Sequence, residues 1–281
     1  MAATAAHPAR TPPGALFVRA PGGRATSHAD ASTSSVTPPV DPPPPGPPAP
    51  NLLVLLHGAG DAPAPYARLA TKLALPDTAA LALRGPFTLG PGYNWFGETP
   101  SDEADAACLA AARPALAAAI DGAGWPRHRV HLFGYGDGGA AVLDLCVAAT
   151  AGSLGAGPPG SAASGRRWGS AVTVGATLLP AQAAALAEAP AAGVSAPITR
   201  PTPILMTRGE GEDLGAPADL AAATVATLQQ AGLAEARLLT VAGKAGEMLG
   251  PVQAEVEAVM AHWGRCLAAA APAGCEEVAG C

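Results

Sequence analysis

Glycine fills four of the six positions in Gly134-Tyr135-Gly136-Asp137-Gly138-Gly139, and the flanking residues say what the run must do. Residues 129–133, Arg-Val-His-Leu-Phe, have the composition of a strand. Residues 140–146, Ala-Ala-Val-Leu-Asp-Leu-Cys, have that of an apolar helix. So short a passage from strand to helix needs a sharp turn, and glycine is the residue that tolerates strained backbone and close backbone approach. The segment therefore predicts strand, tight turn and helix, with Gly136 at the turn.

The rest of the chain alternates in the same way. Residues 52–56 form an unbroken apolar run, as in a strand buried on both faces. Residues 64–74 read as helix and 79–83 as strand. Residues 102–120 read as helix with acids in the first turn, where the helix dipole favours them. Pro114 should kink that helix or divide it in two. Further strands are expected at 171–174, 204–207 and 237–241, with helices at 216–230 and 247–263. Strands alternating with helices imply an α/β domain: a mainly parallel, doubly wound sheet with helices on both faces.

Residues 1–50 read as a disordered, proline-rich segment, 51–265 as the folded domain and 266–281 as a flexible tail. Residues 38–50 carry the longest proline run, whose composition favours extended polyproline II, a semi-rigid spacer. Residues 14–19 could add an edge strand. Residues 1–37 are rich in Ser and Thr, and acids are absent from residues 1–29, weakly as in a transit peptide. The plainer reading is a disordered tail on an intracellular, most simply cytoplasmic, protein. Five cysteines without metal or C-x-x-C spacing fit reduced thiols. The net charge of −6 argues against a nucleic-acid surface. No apolar run approaches the roughly 18 residues of a membrane span. No metal and no cofactor are expected.

Four blocks, in order, resemble the phospholipase/carboxylesterase family, which includes the acyl-protein thioesterases and has the α/β-hydrolase fold. Residues 53–61 (LVLLHGAGD) resemble its first strand and HG-x-GD loop. Arg84-Gly85-Pro86 with Asn94-Trp95-Phe96 resembles its R-x-P…WF segment. Trp125-Pro126 and residues 129–139 resemble its strand and nucleophile elbow, G-x-S-x-G. Val174-Gly175 with Leu179-Pro180 resembles its next strand. The resemblance implies acyl transfer by a serine, a histidine and an aspartate, with two backbone N–H groups holding the oxyanion. Here those amides would be Asp137's and one from the His57-Gly58-Ala59-Gly60 loop, most simply that of Ala59. Trp95 and Phe96 would border the pocket, and Trp168 could help close it.

The triad itself departs from that pattern. Gly136 stands at the serine position. Glu212, or Asp213 with one extra residue, falls at the acid position. Glu247 falls at the histidine position, and His262, further along, reads as a helix-surface residue. His57 shapes the oxyanion loop, and His131 reads as an ordinary core or sheet-face residue. Asp137 could serve as a relocated nucleophile if the turn shifted by one residue, putting Tyr135 where the turn wants glycine. Otherwise it caps the helix. Glu247 with Glu212 or Asp213 could pair as carboxylates and activate a water. Three functional expectations follow: a catalytically impaired hydrolase that binds a small acyl ester or a protein partner; an active hydrolase using Asp137 or an acid-activated water; and a structural subunit with a filled pocket.

Overall fold

The computed structural model describes residues 16–18, 49–97, 101–155, 157–158, 167–188, 200–210, 217–244, 248–249 and 252–267. In chain order the elements are β1 (Leu16–Val18), β2 (Asn51–Leu56), α1 (Pro63–Leu73), β3 (Thr78–Leu83), β4 (Phe87–Leu89), β5 (Gly92–Asn94) and α2 (Asp102–Asp121). They continue as β6 (Val130–Tyr135), α3 (Asp137–Ala151), β7 (Ser170–Val174), α4 (Pro180–Glu188), β8 (Ile204–Gly209), α5 (Ala218–Gln230), β9 (Ala236–Val241) and α6 (Gln253–Cys266). Among the described residues seven strands make one sheet, ordered β1-β3-β2-β6-β7-β8-β9. All its pairings are parallel except that of β1, which runs antiparallel along β3 with Phe17 opposite Leu81.

The apolar run that predicted a doubly covered strand is doubly covered. Every residue of β2 is buried. Leu52, Val54 and Leu56 pack into one core layer with Val142 and Leu143 of α3 and Leu228 of α5. Leu53 and Leu55 face the other layer, with Tyr66 of α1 and Val259 and Trp263 of α6. The alternation of side chains along a strand sorts these residues between the two layers. Fully burying each leucine contributes roughly 1.5–3 kcal/mol.

Two local expectations change, and two elements are additional. Of the two outcomes expected at Pro114, division does not occur: α2 runs unbroken through it. Both Pro114 and Ala110, whose carbonyl loses its intrahelical donor, are exposed, so water can serve that carbonyl. The last helix begins at Gln253, not 247. A helix from 247 would hold Pro251 in its interior. The hairpin β4–β5 and helix α4 carried no signal strong enough to be expected.

On one side of the sheet, three helices meet at a single carboxylate. Asp144 of α3 accepts a bidentate pair from Arg113 of α2, at 2.6 and 2.7 Å, and a third bond of 2.7 Å from the Gln182 amide of α4. The Asp144 side chain is 6% exposed, so losing the guanidinium strands a buried charge. Arg113→Ala is expected to lower the free energy of urea unfolding by about 1.5–3 kcal/mol, the range for hydrogen bonds to charged groups. Arg113→Lys, which cannot bond bidentately, should fall between.

Candidate functional site

The glycine run after β6 carries the chain from strand to helix across a single residue. β6 ends at Tyr135, α3 begins at Asp137, and Gly136 between them has φ 50° and ψ −120°. The neighbouring glycines are needed for space. A Cβ on Gly138 would overlap the carbonyl oxygens of Leu56 and His57, and one on Gly134 would overlap the backbone of Gly138. A Cβ on Gly139 would overlap that of Ala176. Gly136 differs: a Cβ there meets nothing within 4 Å. The tip is open and lacks a side chain.

This settles the frame of the turn. Asp137 is the first residue of α3, and the tip is Gly136. A shift that would put Asp137 at the tip is not the one adopted. The Asp137 carboxyl is half-buried, and no hydrogen bond reaches it among the described residues. Burial first, and then the charge of Asp105, push its pKa up to about 6, against the pull of the helix terminus.

The loop after β2 closes over the start of α3. Parallel pairing of β2 with β6 puts Leu56 opposite Gly134, and the missing Cβ at Gly138 lets the two backbones touch. The His57 ring is fully buried and both its nitrogens are engaged. Nε2 accepts the Gly85 amide at 2.9 Å, so Nδ1 carries the proton and meets the Gly58 carbonyl at 2.7 Å. Burial lowers its pKa, keeping it neutral. The Trp95 indole donates to the His57 carbonyl at 2.7 Å. His57 is thus a strut and has no nitrogen free to act as a base. Tyr66 completes the brace: its hydroxyl accepts from the Gly58 amide and donates to Asp61, both at 2.9 Å. The Gly60 amide is taken by the Tyr93 carbonyl at 2.9 Å. Among the described residues the amides of Ala59 and Asp137 have no acceptor. These are the two N–H groups that the resemblance names for the oxyanion. Trp95 and Phe96 are buried core residues beside this loop, 2% and 7% exposed. Trp168 is also buried, its indole donating to the Leu145 carbonyl at 3.1 Å.

Glu212, Asp213 and Glu247 lie outside the described residues. What the structure describes between β8, β9 and α6 is a pairing that the sequence did not suggest. Lys244, three residues past β9, forms an ion pair with Glu255 of α6, and Thr207 of β8 donates to the same carboxylate oxygen at 2.6 Å. Lys244 is 4% exposed and Glu255 is fully buried. The pair joins the last two strands to the last helix near their carboxyl ends. His262 is not on the surface as expected. It is 5% exposed, because it shares the inward face of α6 with Val259 and Trp263. His131 is buried in the sheet, its Nδ1 2.8 Å from the Ser170 hydroxyl. Among the described residues no group of three or more His, Cys, Asp or Glu could hold a metal ion.

The crystal structure of esterase PE8 is similar to this chain, with a TM-score of 0.58 and 20% identity over 78% of this chain and 94% of that one. The acyl-protein thioesterase 2 of Zea mays superposes with a TM-score of 0.55 at 19% identity, over 75% and 93% of the two chains. A carboxylesterase from Mesorhizobium loti gives 0.51 at 19% identity, over 76% and 88%. The chain has the α/β-hydrolase fold. No family model matches it. An uncharacterized hydrolase of Mycosarcoma maydis is 30% identical over 112 residues, 34% of this chain and 42% of the relative. One of Schizosaccharomyces pombe is 32% identical over 111 residues, 34% and 46% of the respective lengths. The chain thus spans less than half the length of the curated relatives it matches. At the level of fold, the resemblance read from the four motif blocks holds. Within that fold, the site retains the elbow backbone and the braced loop, with glycine at the tip.

Two measurements test this reading. Gly136→Ser introduces a side chain into open space at a positive φ, and should cost about 1–3 kcal/mol in urea unfolding. Gly138→Ala drives a Cβ into two carbonyl oxygens, and should cost more than Gly136→Ser or prevent folding. For the ion pair, Lys244→Met leaves a buried carboxylate uncompensated and should cost about 3–5 kcal/mol, whereas Lys244→Met with Glu255→Leu should recover most of that loss.

Proposed function

We propose that this chain is a divergent phospholipase/carboxylesterase-type α/β-hydrolase whose acyl-transfer chemistry is impaired, and that it acts by binding an acyl-type ligand or a protein partner. The observation that carries the reading is Gly136: an elbow tip with room for a side chain and none present. Without a nucleophile, the remaining parts of a serine hydrolase contribute binding and oxyanion stabilisation only, and loss of the nucleophile costs roughly 10⁶ in turnover. The two open amides of Ala59 and Asp137 support retention of a site that can hold the carbonyl or carboxylate oxygen of an acyl group. The esterase and thioesterase likenesses favour an ester or thioester as the group recognised.

A second reading keeps turnover. Asp137, with its carboxyl pushed up to about 6, is placed beside the open tip where it could activate a water. A base must be deprotonated to act, so such activity would rise as pH passes through about 6.

The test is hydrolysis of a short-chain p-nitrophenyl ester by the full chain and by its Gly136→Ser and Asp137→Ala variants, from pH 5 to 8. The binding role is expected to give no saturable turnover in the native chain or in Asp137→Ala. Saturable turnover that rises through about pH 6 and disappears in Asp137→Ala would replace it with the second reading.

A further inference from the structure

The other end of the sheet holds a second concave site. A cavity of about 410 Å³ is lined by Arg167, Arg200, Arg237 and Arg265, with Glu235 and His262. Gly169, Pro203 and Glu235, which also line it, immediately precede β7, β8 and β9. The cavity therefore lies at the amino ends of these parallel strands, whereas the elbow lies at the carboxyl end of β6. The two sites share no residue.

The charge here is unbalanced. Four guanidinium groups reach the cavity from separate segments: before β7, before β8, at the start of β9 and in the last turn of α6. This is not one periodic solvated face. Only Arg265 has a helix C-terminus to explain it. Among the described residues none of the four forms an ion pair, although Glu235 lies among them. Burial, and then the Arg200 charge, lower the pKa of Arg167. Burial, and then Arg265 and Arg237, lower that of His262 to about 4. His262 supplies an independent indication. It is 5% exposed, lines the cavity and has an Nε2 with no hydrogen-bond partner. A buried polar atom without a partner destabilises the fold unless something meets it. Converging positive charge of this kind is relieved by an anion.

We propose that this cavity binds a small phosphate-bearing molecule. Four guanidiniums against one carboxylate leave a formal excess of three positive charges, which a phosphate monoester or pyrophosphate offsets more fully than a single carboxylate does. The planar fork of arginine bonds two phosphate oxygens at once. The volume falls in the usual range for small-molecule sites and exceeds what one phosphate group fills. The rest of the ligand would lie along Pro201 and Pro203, with a hydroxyl or amine of the ligand donating to His262 Nε2.

The probe is inorganic pyrophosphate, titrated into the full chain by isothermal calorimetry at constant ionic strength, with succinate as the dicarboxylate control. Saturable 1:1 binding is expected, weakened at least tenfold in Arg200→Gln and in Arg237→Gln. Both side chains are exposed, so neither change should disturb folding, and matching thermal melts would check that. Arg167→Gln, half-buried, should weaken binding similarly. Absence of saturable heat, equal affinity in the Arg variants, or a preference for succinate would overturn the proposal. Binding seen only with vesicles of phosphatidylcholine and phosphatidic acid would also overturn it, in favour of a lipid surface.

Discussion

The structure is organised around one close backbone contact. The start of α3 lies against the carboxyl end of β2, and it can do so only because Gly138 presents no Cβ to the Leu56 and His57 carbonyls. Gly134 makes the same concession to Gly138 one turn earlier. With the contact made, β6 and α3 fold back at a single residue, the loop after β2 lies over the helix terminus, and the amides of Ala59 and Asp137 have no acceptor among the described residues. None of this depends on which side chain the tip carries. The backbone arrangement and the side chain at the tip are separable, and in this chain the residue at the tip is Gly136.

Polar groups at this end of the sheet act as braces. His57 spends both ring nitrogens on main-chain partners, and Tyr66 joins the Gly58 amide to Asp61. Lys244, Glu255 and Thr207 form a buried cluster where β8, β9 and α6 converge. Such a pair contributes little net stability compared with an apolar replacement, but it fixes one arrangement, because each charge needs the other. At the amino ends of β7, β8 and β9, Arg167, Arg200, Arg237 and Arg265 gather with no ion pair among the described residues.

Much of this was legible in the sequence, for reasons that differ by residue. The elbow was readable because steric need and sequence spacing coincide at Gly134, Gly138 and Gly139. The buried strands were readable because burial on both faces demands unbroken apolar runs. His57 was readable through its motif. The Lys244–Glu255 pair was not, since nothing in an isolated lysine or glutamate announces a partner, and their contact with Thr207 spans 48 residues. The continuity of α2 through Pro114 depends on which face meets water, and neither propensity nor spacing reports that. His262 was misplaced because distance from the motif was weighed above the i, i+3, i+4 pattern that puts Val259, His262 and Trp263 on one face. The arginine cavity gathers residues from four segments, so only the fold brings it into view.

The antiparallel strand β1 has a consequence for the sheet as a whole. It pairs with β3 through only three residues and is separated from Ala49 by 30 residues of intervening chain. So short a ladder gives the strand few hydrogen bonds to hold it against β3. Of the seven strands, β1 should therefore fray first. When it lifts, the three-residue edge of β1 gives way to the six-residue edge of β3, whose unpaired N–H and C=O groups join those of β9 at the far side as places open to strand-to-strand association.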